Sequence, residues 1–119
     1  MDTRQAIISF SQSEKIKSGL IWCSQCVLII QNLPAHEQQG ALKLLQSLAA
    51  MIGAEAQLSR QASKDPVWTE VDKFVNNARV MIESGVGGEA DYHFTQALSQ
   101  VNRIGQRAMT HLIEKGLLS

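Results

Sequence analysis

Aromatic side chains are scarce in this chain, with three Phe, two Trp and one Tyr in 119 residues. Val, Ile and Thr never alternate with polar residues for long, so a half-buried sheet has no support and helix is favoured throughout. Net charge is missing too, since 11 basic side chains cancel 11 acidic ones. That balance argues against binding nucleic acid or an anionic membrane through the field of the whole protein. Two cysteines are too few for a disulfide scaffold. The longest apolar stretch, Gly19 to Ile30, is too short for a membrane span and holds Ser24 and Gln25 in its middle. Glu14 before it, and the poor cleavage site at Asn32 to Glu37 after it, do not suit a signal peptide. The expectation is a soluble, cytoplasmic protein with no membrane span and no nucleic-acid partner.

Hydrophobic residues make up 45% of the chain, ordinary for a folded domain and too many for global disorder. A chain of this length forms one domain that buries about two-thirds of its unfolded surface without a covalent staple. Periodicity and punctuation predict four helices, at about 13–32, 34–61, 66–84 and 88–115, after a polar start that is frayed or partly helical. Leu33-Pro34 breaks the first, because a residue before proline avoids helical backbone. Pro34 then suits the opening turn of the second. The third begins at Asp65-Pro66, a capping carboxylate followed by a proline already set for the first helical position. Gly85 is its expected stop, and Gly116 that of the fourth. Together these predict an all-α, single-domain, antiparallel four-helix bundle in up-down-up-down order.

The apolar faces differ between helices. In the second, Leu42, Leu44, Leu45, Leu48, Ala49, Met51, Ile52, Ala56 and Leu58 read as one broad inward face, opposite Lys43, Gln46, Gln57 and Gln61. The third and fourth each show one clean face, and small residues at Ala97, Gly105 and Ala108 let a neighbour approach the fourth. The first helix is apolar on more than one side. At about 100° per residue, Ile16, Leu20, Trp22, Cys23, Cys26, Val27, Ile29, Ile30 and Leu33 fill one arc. Ile21 and Leu28 fall outside it, beside Gln25. A second apolar patch calls for a second partner, so Ile21, Leu28 and Gln25 are the interface candidates.

Few residue groups suggest chemistry. Cys23 and Cys26, at i and i+3, share a helical face and supply half of a tetrahedral thiolate site or a redox pair. Both fall inside the apolar arc, where two small buried hydrophobes are the simpler reading. Glu55 stands at the edge of the apolar face of the second helix; it is either paired, for instance with Arg or His of the fourth helix, or reaches water at the helix's end. Arg103, Arg107 and His111, at i, i+4 and i+8, are candidates to hold an anionic group or acidic partner, against the plainer reading of a solvated outer face. Glu89 with His93, or His111 with Glu114, gives too few ligands for a carboxylate-bridged metal site. Gly85 to Gly88 lacks the strand and the Lys-Ser/Thr of a phosphate loop. No Ser-His-Asp or Cys-His arrangement is readable, so no catalytic residue and no cofactor are assigned.

The run from Lys43 through Ser47 to Gly53 and Ala54 resembles the helix of histidine-phosphotransfer domains, which are four-helix bundles of similar size. That family places an exposed histidine ten residues before the matching glycine; here the position is Lys43, so phosphotransfer is not implied. What the resemblance implies is a docking or inhibitory module. Taken together, the sequence predicts an adaptor-like or regulatory bundle acting through a homodimer or another protein partner. A metal- or redox-responsive bundle built on Cys23 and Cys26 is the alternative.

Overall fold

A computed structural model describes residues 1–118. They form α1 (Thr3–Gln31), α2 (Ala35–Ser63), α3 (Val67–Glu83) and α4 (Ala90–Glu114), with a short 3-10 turn, Gly87–Glu89, before α4 and no strand among the described residues. Each helix packs on two others, α1 and α3 both lying against α2 and α4, so the four close a ring around one core. Trp68 and Phe94 are fully buried there with Ile16, Leu20, Val71, Val75, Val101 and Ile104.

The first helix begins ten residues earlier than its apolar pattern suggested. Asp2 accepts the Gln5 amide N–H while the Gln5 side chain accepts from the Asp2 N–H, a reciprocal cap that satisfies two end groups. The added turns are anchored by Ala6, Ser9 and Ser13, which are buried. Small side chains make this contact, so it leaves no periodic row of large apolar residues in the sequence. Ser13 lies against Gly105 of α4: a Cβ built on Gly105 would stand 2.8 Å from Ser13 Oγ.

The remaining boundaries follow local chemistry. Asp65 caps α3, its Oδ1 accepting the Val67 N–H at 3.0 Å, and Pro66 already has helical backbone. Gly85 and Gly116 adopt positive φ and end α3 and α4. In both turns the next residue donates its N–H back to the third-last helical carbonyl, Val86 to Met81 and Leu117 to Leu112.

The apolar faces of α1 and α2 correct the sequence reading. Trp22 and Ile29 lie outside the core arc in which they were placed, and both are exposed. On α2, only Leu45, Ala49, Ile52 and Ala56 of the broad apolar face are buried, while Leu44, Met51 and Leu58 point to solvent. The width of the face explains the error: a stripe about 100° wide meets the core, and apolar residues beyond it stay outside. So α1 is not alone in carrying a second apolar patch.

Candidate interaction face

The exposed apolar residues of α1 and α2 are neighbours. Along the seam between the helices, one shallow groove is lined by Gly19, Trp22, Leu48, Met51 and Ile52, and the next by Cys26, Ile29, Leu33, Leu44 and Leu48. The large side chains flanking the seam are the most exposed on this side: Leu44 at 74%, Trp22 at 62% and Met51 at 61%. Leu58 continues the row along α2. At roughly 100–150 Å² apiece, Trp22, Ile29, Leu44, Met51 and Leu58 present on the order of 600 Å² of apolar surface, the upper end for the largest patch of a monomer.

Spacing organises this face. Trp22 and Ile29 are seven residues apart on α1, and Leu44, Met51 and Leu58 recur every seven residues on α2. A seven-residue repeat keeps side chains in line along a helix packed at a shallow angle, the pattern that accepts another helix alongside. At one end of the seam, Glu55 accepts from Lys15 Nζ at 3.0 Å and from Gln12 Nε2 at 3.2 Å. The Lys15 hydrogen bond, then that of Gln12, holds the Glu55 carboxyl below its ordinary pKa. Glu55 is thus both paired and partly open to water, and its partners come from α1 and not from α4.

The other candidates are placed as follows. Ile21, Leu28 and Gln25 are exposed on α1, on the flank turned toward α4, where Ser24 donates a hydrogen bond to Asp91. They form a smaller patch, separate from the Trp22–Met51 face. The basic row on α4 does not converge as an open anion site. Arg107 Nη2 donates to Asp65 Oδ2 at 2.6 Å, and Arg103 donates to Gln100. Asp65 is buried, so the guanidinium neutralises an internal carboxylate at the α2–α3 turn. His111 is half-buried. Lys43, at the position matched to the phosphotransfer histidine, is exposed on α2.

Cys23 is fully buried and Cys26 half-buried in the seam, both as free thiols. Burial, with a smaller push from nearby Cys26, raises the Cys23 pKa to about 12. At neutral pH it is therefore a protonated thiol rather than an activated nucleophile. Among the described residues, no three His, Cys, Asp or Glu side chains lie together in a way that would hold a metal ion.

Fold and face together define a four-helix, all-α protein with a long apolar seam left open to solvent. Among the described residues, no helix is long and apolar enough to cross a membrane. Compared with known proteins, the chain matches no protein-family model, no curated protein and no solved structure.

Proposed function

We propose that this protein acts by association: a single-domain interaction or regulatory bundle, in up-down-up-down antiparallel order, whose apolar α1–α2 face is covered by another protein surface in the working state. The observation that carries this reading is the exposure of Trp22, Ile29, Leu44, Met51 and Leu58 in two rows of seven-residue period. A face of this size left in water costs solubility, whereas covering it yields roughly 25 cal/mol per Å². For α1 and α2, the antiparallel order is supported by contacts at both ends of the seam. Gln12, early in α1, donates to Ser59, late in α2, and Ile29, late in α1, lines a groove with Leu44, early in α2. The absence of a net charge, and the distribution of apolar surface, favour a protein partner in the cytoplasm over nucleic acid or lipid.

Hydroxyl-radical footprinting of the full chain in its native host cells tests this directly. Trp22 and Met51 should be oxidised several-fold more slowly than in the dilute purified protein, with Tyr92, exposed on α4, as the reference for unhindered labelling. Labelling of Trp22 and Met51 in cells as fast as in dilute solution would refute association through this face.

A further inference from the structure

The outward stripe of α2 has a symmetry that narrows the choice of partner. Seven-residue spacing brings Gly40, Ser47 and Ala54 into a second row beside Leu44, Met51 and Leu58, and all six residues are exposed. Read along the helix, the stripe runs small, large, small, large, small, large. Reversed about Ala49, the midpoint of α2, every large residue meets a small one: Leu58 opposite Gly40, Leu44 opposite Ala54, Met51 opposite Ser47. An isologous two-fold contact requires this of a surface, because the same patch must complement itself.

We infer that the partner is a second copy of this chain, bound by packing α2 against α2 in antiparallel orientation about a two-fold axis at the level of Ala49. This rests on the association reading above. Three further observations support it. Gly40 lies inside α2, where glycine weakens a helix, yet a Cβ there would meet no atom of its own chain within 4 Å, so its own fold gives no packing reason for a glycine. A second backbone passing close by gives one. No stripe position carries a charge, which matches the charge-poor centre of protein interfaces and leaves no like-charge clash under the two-fold. Covering the whole face, with Trp22 and Ile29 of α1 included, buries about 600 Å² on each copy and about 1,200 Å² in all, the lower bound for specific, stable interfaces. Trp22 and Ile29 of α1 then flank the central pair of helices.

Sedimentation velocity and light scattering of the full chain over a micromolar range test the inference. The wild type should weigh twice the 13.1 kDa of one chain. Met51→Glu and Ser47→Arg should each give a monomer of unchanged helical circular dichroism, while Ile113→Glu, on exposed α4 surface, stays dimeric. Register is read from an exchange of sizes. Ala54→Leu alone sets leucine against Leu44 and should weaken the dimer by roughly tenfold or more, whereas Leu44→Ala combined with Ala54→Leu should recover most of that loss. A monomeric wild type would overturn the second-copy inference, while the footprint in cells reports separately on whether the face has any partner. Dimers that survive Met51→Glu and Ser47→Arg would overturn the location, and a double variant no tighter than Ala54→Leu would overturn the antiparallel register.

Discussion

The two cysteines, three residues apart on one helix, behave differently because one turn of α1 carries them across the boundary of the core. Cys23 packs among Leu20, Val27 and the other core residues, whereas Cys26 sits in the open seam with Leu44 and Leu48. A pKa raised to about 12 keeps Cys23 protonated across the neutral range. Because the folded value lies above the unfolded one of about 9, the contribution to stability is intact below that pH and lost as pH rises toward 12. In native protein at pH 8, a thiol reagent should therefore modify Cys26 first and Cys23 only on unfolding in urea. Equal native rates for both thiols would contradict the burial of Cys23. Trp68 offers a second test at this scale. Its indole N–H donates to Ser63 Oγ at 3.0 Å, and Ser63 donates to the Ser59 carbonyl at 2.7 Å, inside the core. Ser63→Ala should strand the indole N–H and cost about 1–3 kcal/mol in urea unfolding. No change in midpoint would mean that this bond contributes nothing.

At the scale of the helix, two glycines separate the internal demands of the fold from the external ones. Gly105 lets α4 approach α1 at Ser13, whereas Gly40 faces open solvent within one chain. In dilute monomer, Gly40→Ala should raise stability by about 1 kcal/mol through helix propensity alone. Gly105→Ala should fall short of that gain by about 1 kcal/mol or more, because the new methyl crowds a buried Ser13 hydroxyl bonded to the Phe10 carbonyl. Combining it with Ser13→Ala should recover most of the shortfall in thermal unfolding, and a failure to recover would place the strain elsewhere. The ends of the helices were largely legible in the sequence. Asp65-Pro66, Gly85 and Gly116 act through backbone chemistry confined to three or four residues. The start of α1 was not, since Ala6, Ser9 and Ser13 are small residues whose burial depends on other helices, for Ser13 on α4 at Gly105.

Across the whole molecule, the Cα atoms span 54 × 25 × 17 Å, so the bundle is a long, thin body whose α1–α2 seam runs along its length. Such a shape leaves much apolar helix surface uncovered. The sequence by itself determined that the chain is helical, where the helices break, and that α1 carries more apolar residues than one core face absorbs. Those properties reside in local backbone preference and in periodicity, both read along a single segment. Only the tertiary structure decided which apolar residues go inside. Trp22 and Ile29 left the core arc, Leu44, Met51 and Leu58 turned outward on α2, and Arg107 was claimed by Asp65 from forty-two positions away. Which part of a wide apolar stripe is buried depends on where the neighbouring helices cross, and that angle is set by packing among all four helices at once rather than by any one of them.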